Sequence, residues 1–397
     1  MSPNHVLVIP SWYPQFAGDP GGSFFREKAI ALAQRLPKVG VLFPNQRSLR
    51  EFWNSSAKPS GTEILVDNNV HVAIRYGFNW TPRFKSGIAW QWLANGTALF
   101  NEYVTKHGRP DIIHAHCALY AGHLARKISA ETGIPYVVTE HSSGYFCGDF
   151  NRRQLGLAAD VFIESSANLA VSSSLARLLQ ETHGFGQRWQ VVPNIVESNF
   201  YTAPLQSTCT LGRLRLLNVA LLRPIKRQRL LLEAIDLCRQ TGKGIVELTI
   251  VGDGPERAML EREVAVRGLQ KQVQMLGFVP RAELPAIMAA HDAFVLSSDY
   301  ETFGVVVAEA LATGLPCIAT DCGGPADILG PGDGTLVPCG NAKVMAEAML
   351  SLLDQPDELQ ARVARRTRSA VRFSEGAVSQ ALDEVYCSVL SQKSSKP

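Results

Sequence analysis

Short apolar runs alternate with segments of helical periodicity along almost the whole chain. Residues 6–10 form one such run, and residues 24–36 carry apolar side chains at helical spacing. The same alternation returns in the second half, where the run 216–221 precedes the helical segment 229–241. Continuous apolar strands separated by helices are typical of parallel sheets that are covered on both faces. The sequence therefore predicts an α/β protein.

The length of the chain requires more than one domain. A single hydrophobic core rarely grows beyond about 250–300 residues, and this chain has 397. The alternating pattern breaks near residues 194–204, so we expect one Rossmann-like domain in residues 1–196 and a second in residues 197–375. We expect the last helical segment, 376–397, to pack back on the first domain.

Charge is distributed unevenly between the two predicted domains. Residues 1–195 hold 18 Lys and Arg against 13 Asp and Glu, a balance of +5, and the remainder holds 21 against 23, a balance of −2. The total of +3 is too small to indicate nucleic-acid binding. We therefore expect no nucleic-acid partner, and we expect the first domain to meet an anionic substrate or surface.

Targeting and metal-binding signals are absent from the sequence. The start of the chain does not resemble a signal peptide, and no apolar run reaches the roughly 18–20 residues of a membrane span. Eight cysteines are scattered without CxxC spacing, which indicates reduced thiols in a cytoplasmic protein. No Asp-x-Asp pair and no His/Cys/Asp cluster has metal-ligand spacing, so no metal site is predicted.

The segment 297–309 holds the strongest functional signal. It leaves an apolar strand, turns at Gly304 and enters a helix, where free N–H groups and the helix dipole favour an anion. Glu309 lies between two alanines on that helix, and a buried carboxylate is costly unless something binds it. We therefore predict a phosphate site beside Gly304 and a ribose diol at Glu309, with Glu301 flanking both. The alternative is that the two glutamates are solvated surface residues.

Two further segments follow strands, where doubly wound folds bind ligands. The turn 221–227 contains Arg223 and Lys226, whose charges would neutralise a leaving diphosphate. A solvated basic turn is the alternative. The loop after the first strand contains Gly21 and Gly22, which would let a substrate approach the backbone, although an ordinary turn has the same composition.

Histidines at strand ends are the third kind of candidate. His141 ends a predicted strand at the edge of the sheet where ligands bind. His116 follows the preceding strand and is a second candidate. His114 is equally consistent with a packed core position, and His123 lies on a predicted helix and is expected to be structural.

Together these motifs resemble those of glycosyltransferase family 4, a large family of retaining enzymes with the GT-B fold, in which two Rossmann-like domains face each other across a cleft. The central feature is the pattern Glu301-x7-Glu309, which contains Thr302-Phe303-Gly304. The other matching segments are Pro110-Asp111-Ile112-Ile113-His114-Ala115-His116, Thr139-Glu140-His141, Val192-Pro193-Asn194, Val251-Gly252-Asp253-Gly254-Pro255, Leu276-Gly277-Phe278-Val279 and Gly323-Gly324.

The resemblance implies that the first domain binds an acceptor and the second a nucleotide-sugar donor. Glu309 would bind the ribose, Glu301 would contact the sugar, and His141 would reach the transferred sugar. Lys226 would stabilise the leaving diphosphate. The other donor-side residues would be Phe303, Gly304 and Val305, whose amides hold the diphosphate, Val279 against the base, and Gly254 and Thr302; the acceptor side would comprise Gly21, Gly22 and His116.

One position departs from the family pattern. Leu221 stands where the family has an Arg, and Ala220 stands where it has a Gly. We expect Arg223 to take over the missing charge as a catalytic residue.

The resemblance implies transfer of a sugar from a nucleoside diphosphate, UDP or GDP, to an acceptor hydroxyl with retention of configuration and without a cofactor. The expected setting is cell-surface polysaccharide or glycolipid synthesis. Two alternatives stay open: a nucleotide-sugar epimerase of the same architecture, and a non-catalytic nucleotide-sugar-binding subunit.

Only one segment of the sequence indicates what kind of acceptor the protein uses. Segment 79–92 mixes three tryptophans with basic residues, which favours a glycan or lipid-linked acceptor at a membrane face. A helix packed on the core is the alternative. We expect a cytoplasmic protein with peripheral contact to the inner face of the membrane through its first domain.

Overall fold

The chain forms two compact units. The computed structural model describes residues 2–14, 21–48, 60–80, 85–184, 188–205, 212–355 and 357–394. The first unit comprises Met1–Val171, Ala176–Val192 and Val378–Pro397, and the second comprises Ser172–Leu175 and Pro193–Ala377. Each unit contains one sheet with helices between its strands, so the predicted α/β class is confirmed.

Within the described residues, the sheet of the first unit has eight strands. They are β1 (His5–Pro10), β2 (Lys38–Arg47), β3 (Gly61–Asp67), β4 (Val70–Phe78), β5 (Ile112–His116), β6 (Tyr136–Glu140), β7 (Ala167–Ala170) and β8 (Trp189–Val191). Their order is β3-β4-β2-β1-β5-β6-β7-β8. The central pair β1 and β5 is buried along its whole length, as expected for strands covered on both faces.

The strand β3 departs from the expected parallel arrangement, because it pairs antiparallel with β4. The two strands are joined by Asn68 and Asn69, which have positive φ angles of 48° and 66°. A two-residue turn of this handedness matches the twist of a hairpin, and Asn tolerates it better than most residues. The alternating pattern of the other strands gives no signal for this edge hairpin.

The six-stranded sheet of the second unit is parallel throughout its described pairs. Its strands are β9 (Arg213–Val219), β10 (Ile245–Val251), β11 (Val273–Gly277), β12 (Ala293–Leu296), β13 (Cys317–Thr320) and β14 (Gly334–Val337). The order is β11-β10-β9-β12-β13-β14. The direction of strand progression therefore reverses between β9 and β12, which makes that point the topological switch of the sheet.

Helices cover the two sheets. In chain order they are α1 (Ser23–Ala33), α2 (Lys85–His107), α3 (His123–Thr132), α4 (Gly144–Cys147), α5 (Arg152–Glu164), α6 (Ser173–His183), α7 (Ser198–Thr202), α8 (Gln228–Thr241), α9 (Arg257–Val266), α10 (Leu284–Ala289), α11 (Val305–Ala312), α12 (Gly324–Ile328), α13 (Ala342–Asp354), α14 (Leu359–Phe373) and α15 (Glu375–Ser394). Most of α15 belongs to the first unit, where the Tyr386 hydroxyl lies 2.7 Å from Nδ1 of His114.

The sequence pattern predicts a continuous helix over 119–132, and the first part of this prediction is wrong. The chain forms an irregular turn over Ala118–Gly122, where Tyr120 has φ 67°, and α3 starts only at His123. Polar side chains hold the turn: the N–H of Ala118 donates to the Glu140 carboxylate at 2.9 Å. A local pattern cannot reveal such a partner on another strand.

Two arginines of α14 fix the C-terminal end of α11, the helix that carries Glu309. Arg365 Nη1 donates to the carbonyl of Gly314 at 2.7 Å, and Arg366 Nε donates to the carbonyl of Ala312 at 3.0 Å. Arg365 also pairs with Asp357. Cations near the C-terminal carbonyls of a helix complement its dipole, so α14 stabilises α11 at the end opposite the predicted anion site.

We expect the substitution Arg365→Met to destabilise the protein by about 3 kcal/mol, because it leaves buried carbonyl groups without a donor. Urea-induced unfolding measures the loss. The matched control is Arg229→Met, whose exposed ion pair with Glu233 spans 3.6 Å and should contribute less than about 1 kcal/mol. Equal losses in the two variants would contradict the role assigned to Arg365.

Candidate active site

The sequence-predicted residues of the second unit converge on the carboxyl edge of its sheet. The turn with Lys226 follows β9, and the segment with Glu301 and Gly304 follows β12, the neighbouring strand. These two loops therefore meet at the switch point, which is where doubly wound sheets bind ligands.

An ion pair joins the two loops. Nζ of Lys226 lies 2.6 Å from Oε1 of Glu301, and the Ser298 hydroxyl donates to the same oxygen at 2.7 Å. The two charged side chains are only 23% and 12% exposed, so salt screens their attraction less than at an open surface. The structure thus brings two of the predicted catalytic residues into direct contact.

Further hydrogen bonds hold these loops in register. The N–H of Asp299 donates to the carbonyl of Ile225 at 2.8 Å, and the Ser297 hydroxyl donates to the carbonyl of Lys226 at 2.8 Å. Arg227 has a left-handed φ of 52° and pairs with Asp299 at 3.3 Å. The backbone around Lys226 is therefore fixed by several contacts with residues 297–299.

The helix α11 begins without a side-chain cap. Gly304 precedes it with φ 90°, a conformation that favours glycine, and no described side chain accepts from its first turn. The free N–H groups and the helix dipole favour an anion at this end. Phe303 is buried and packs on Phe373 with a ring-centroid distance of 5.7 Å. The predicted amides of Phe303, Gly304 and Val305 therefore lie together at one helix terminus.

Residues 322–324 hold the loop before α11 by backbone hydrogen bonds. The N–H of Gly324 donates to the carbonyl of Glu301 at 2.9 Å, and the N–H of Glu301 donates to the carbonyl of Cys322 at 3.0 Å. A Cβ at Gly324 would collide with the carbonyl of Phe303. Glycine is therefore required here by the close approach of the two backbones.

Glu309 is fully buried on α11, as predicted, and it has an unexpected partner. Its Oε1 lies 2.7 Å from Nη2 of Arg281, which also pairs with Glu197. Burial raises the pKa of Glu309, and the guanidinium of Arg281 opposes that rise. Arg281 and Glu197 each lie just outside a matching segment, and nothing in the sequence pairs either of them with Glu309.

The other predicted donor residues, Gly254, Val279 and Thr302, lie at the same edge of the sheet. Gly254 packs so closely on the basic turn that a Cβ would lie 2.5 Å from the carbonyl oxygen of Leu222. Val279 is half-buried after β11, and Thr302 is half-buried beside Glu301. The three residues follow β10, β11 and β12 respectively.

Arg223 is exposed at the start of the basic turn, and its carbonyl accepts from the N–H of Lys226 at 2.9 Å. Leu221, the residue that stands in place of the family arginine, is 54% exposed. The described contacts do not join the Arg223 side chain to the pair of Lys226 and Glu301, so its predicted role rests on proximity along the chain.

In the first unit the predicted histidines form a buried pair. Nδ1 of His116 lies 2.9 Å from Nε2 of His141, and burial lowers the pKa of both well below 6.5. Burial therefore disfavours protonation of either ring, and one ring donates the hydrogen bond that the other accepts. His114 instead bonds Thr139 at 2.7 Å and Tyr386, which is the packed alternative considered for it.

The carboxylate of Glu140 positions His141. It accepts hydrogen bonds from the N–H groups of Ala118, His141 and Ser142, each at 2.9 Å. Burial raises its pKa, although these three bonds oppose the rise. Glu140 thus fixes the loops after β5 and β6, a role that the sequence analysis did not assign to it.

The glycine loop of the first unit is described only in part, since Asp19 and Pro20 lie outside the described residues. Gly22 has φ 79° and directly precedes α1. A Cβ on it would lie 2.9 Å from the carbonyl oxygen of Trp12. Gly21 is exposed. The tight turn therefore accounts for Gly22, and Gly21 lies at the surface directly before it.

Lys28, on α1, is an unpredicted buried cation behind these histidines. It is 1% exposed, and its Nζ has no hydrogen-bond partner among the described residues. Burial lowers its pKa to about 7. It also lowers the pKa values of His116 and His141 through charge repulsion, which helps to keep the pair neutral.

The tryptophan-rich segment 79–92 divides between surface and core. Trp80 and Trp90 are 65% and 70% exposed, whereas Trp92 is buried and packs on Tyr120 with a centroid distance of 6.0 Å. Residues 81–84 lie outside the described part. The core interpretation therefore holds for Trp92, whereas Trp80 and Trp90 lie at the surface.

Two searches of the described residues gave negative results. No group of His, Cys, Asp and Glu in them is arranged to hold a metal ion. No helix in the described ranges is long and apolar enough to span a bilayer.

Comparison with protein families shows two matches that follow one another along the chain. The model for glycosyltransferase family 4 matches residues 22–200, and the model for glycosyl transferases group 1 matches residues 209–370. Together they cover most of both units, including the segments that hold Lys226, Glu301 and Glu309.

Two similar proteins are named as enzymes of glycan synthesis. The chain is 32% identical over 368 residues to a putative teichuronic acid biosynthesis glycosyltransferase of Bacillus subtilis, covering 87% of this chain and 88% of that protein. It is 30% identical over 288 residues to a glycogen synthase of Mycobacterium tuberculosis, covering 70% and 69%. The crystal structure of HepE from Anabaena with UDP shares the fold with TM-score 0.71 and 20% identity, covering 97% of this chain and all of that one.

The pKa of Lys28 generates a prediction for stability. Between pH 7 and 10.5 the unfolded chain binds more protons at this residue than the folded chain, so stability rises with pH through that window and the burial penalty is fully present below it. We expect Lys28→Met to raise the melting temperature at pH 7, and the gain to shrink steadily toward pH 10.

Thermal unfolding of both proteins at half-unit pH steps measures this difference. His116 and His141 stay neutral throughout the range and do not contribute to it. The control is Lys343→Met at an exposed position, which should show no such trend. A gain from Lys28→Met that is independent of pH would contradict the interpretation.

Proposed function

The chain belongs to the family 4 glycosyltransferases with the GT-B fold, and from that premise we propose that it moves a hexosyl group from UDP or GDP to an acceptor hydroxyl with retention of configuration. Family membership removes the epimerase alternative. In this proposal the second unit, about residues 197–375, binds the donor and the first unit binds the acceptor.

One observation supports this proposal most strongly. The pair of Lys226 and Glu301 lies at the switch point of the sheet, in the same loops as the uncapped N-terminus of α11. A cation and free amides suit a diphosphate, and a neighbouring carboxylate suits a sugar hydroxyl or a developing positive charge. Both requirements of glycosyl transfer are therefore present at one edge of the sheet.

In the proposed reaction the bond between the anomeric carbon and the diphosphate oxygen breaks, and the acceptor oxygen attacks on the same face. A diphosphate oxygen takes the acceptor proton. Negative charge grows on the leaving group, where Lys226 and the amides of Gly304 and Val305 stabilise it. Glu301 contacts the sugar, and Arg223 adds a second cation in place of the residue missing at Leu221.

The remaining residues bind rather than react. Glu309 accepts hydrogen bonds from the ribose, and Val279 lies against the base. In the first unit Gly21 and Gly22 lie on the acceptor side with His116, whose hydrogen bond orients His141 toward a sugar hydroxyl.

We expect one sugar nucleotide from a panel of UDP-, GDP-, ADP- and TDP-sugars to release nucleoside diphosphate slowly in the absence of an acceptor. Lys226→Met should lower that rate about 10²- to 10³-fold, since it removes a charge that acts mainly in the transition state. Coupled detection of the released diphosphate measures it.

The control, Lys243→Met, removes an exposed lysine whose ion pair with Asp354 spans 3.9 Å, and it should not change the rate. Unchanged turnover in Lys226→Met would contradict the assignment of that residue. Tight nucleotide binding without release from any donor, even with oligosaccharide and polyprenyl-phosphate acceptors, would favour the non-catalytic binding subunit.

The exposed tryptophans of the first unit support a membrane-associated acceptor. Trp80 and Trp90 are large, exposed side chains in a segment with basic residues, a combination that favours the interface of an anionic bilayer. We propose a lipid-linked or glycan acceptor at the inner face of the cytoplasmic membrane, with the protein bound peripherally.

The double substitution Trp80→Ala/Trp90→Ala should lower co-sedimentation with vesicles of phosphatidylglycerol and phosphatidylcholine at least tenfold, because it removes the apolar side chains that enter the interface. The control Val371→Ala changes an equally exposed apolar residue of the second unit and should leave binding unchanged. Vesicle binding that is equal in all three proteins would contradict the membrane part of the proposal.

A further inference from the structure

The partner of Glu309 has a specific structural role. Glu309 is fully buried, and neither of its carboxylate oxygens forms a hydrogen bond with any described residue. Its Oε1 lies 2.7 Å from Nη2 of Arg281. An ionised carboxylate is strongly disfavoured in a protein interior unless a cation accompanies it. Arg281 therefore supplies the charge that lets Glu309 remain a carboxylate.

Arg281 is itself held from two other sides. Its guanidinium forms an ion pair with Glu197 and lies 5.5 Å from the ring centroid of Phe200. Phe200 is fully buried on α7, which packs against α11. A planar guanidinium between two carboxylates and an aromatic ring has little freedom to turn, so the orientation of Arg281 and of the carboxylate it binds is fixed together.

The position of Arg281 along the chain connects it to the proposed donor site. It starts the short turn Arg281–Glu283 after β11, two residues beyond Val279. Val279 is the proposed base contact, and Glu309 is the proposed ribose contact. One short segment therefore contains both the proposed base contact and the arginine that holds the carboxylate of Glu309.

We propose that Arg281 is a positioning residue that holds the Glu309 carboxylate so that Oε2 accepts a hydrogen bond from one ribose hydroxyl of the donor. This inference rests on the proposed function, in which Glu309 binds the ribose. Arg281 approaches Oε1 as an ion pair, which leaves Oε2 as the oxygen without a cation beside it. A nucleotide that lacks the matching hydroxyl leaves that oxygen buried and unpaired, so Arg281 sets the preference for ribonucleotides over deoxyribonucleotides.

The test compares the affinities of the full-length protein for UDP and GDP with those for their 2′-deoxy and 3′-deoxy analogues, by isothermal titration. The wild type should bind the ribonucleotide about ten- to a hundredfold more tightly than one of the deoxy analogues, as expected for a hydrogen bond to a charged group. In Arg281→Met the ribonucleotide should weaken to the level of that analogue, while the analogue itself changes little, so the ratio approaches one.

Two further variants separate positioning from folding. Arg281→Lys keeps the charge and should restore part of the preference, and Glu197→Gln loosens Arg281 and should give an intermediate ratio. Arg213→Met, which removes an exposed arginine paired with Glu247 at 2.9 Å, should keep the wild-type ratio. These variants remain informative if Arg281→Met does not fold.

Each other outcome overturns the inference in a recognisable way. Equal weakening of both nucleotides in Arg281→Met, with the ratio preserved, would show a purely structural role. Tighter binding of the ribonucleotide would show that Arg281 blocks Glu309. If Glu309→Gln still binds nucleotides with an unchanged ratio of ribonucleotide to deoxyribonucleotide affinity, then Glu309 does not contact the ribose. No binding of any nucleotide by the wild type would overturn the proposed function as well.

Discussion

The ion pair between Lys226 and Glu301 joins the two loops on which the donor site depends. The loop after β9 holds only the short 3-10 helix Pro224–Lys226, and the loop after β12 is irregular until α11 begins. The pair, the Ser298 hydroxyl and the backbone bond from Asp299 to Ile225 connect the ends of two neighbouring strands. These contacts lie at the switch point, which is where open α/β sheets bind ligands. The strand order of the sheet therefore determines which loops meet and so which side chains form the site.

The parts of the fold and site that follow from local chemistry were predictable. Glu309 follows Gly304 on one helix, so helical geometry alone predicts that the carboxylate lies buried behind the anion-binding end of α11. Alternating strands and helices predict parallel sheets, and strand ends predict where Lys226 and Glu301 meet. The family resemblance added roles that composition does not contain, such as a sugar contact for His141.

The features that were not predictable involve partners distant in sequence. Arg281 and Glu197 reach Glu309 from different elements, and Glu140 accepts from the irregular turn that replaces the start of a predicted helix. The hairpin of β3 depends on two asparagines whose turn has no pattern of apolar residues around it. Lys28 looks like an ordinary helix lysine in the sequence, since only the folded sheet shows that its ammonium is buried.

Buried carboxylates mark the functional parts of both units, and their remaining capacity to accept hydrogen bonds distinguishes their roles. Glu140 accepts three backbone N–H groups, which suits a residue that shapes loops. Glu301 shares one oxygen between a lysine and a hydroxyl, so an anionic ligand can compete for its cation. Glu309 has a cation on one oxygen and a second oxygen without a partner in the described residues. A buried acceptor left open is costly to the folded chain, and a ligand hydroxyl is the group that removes this cost.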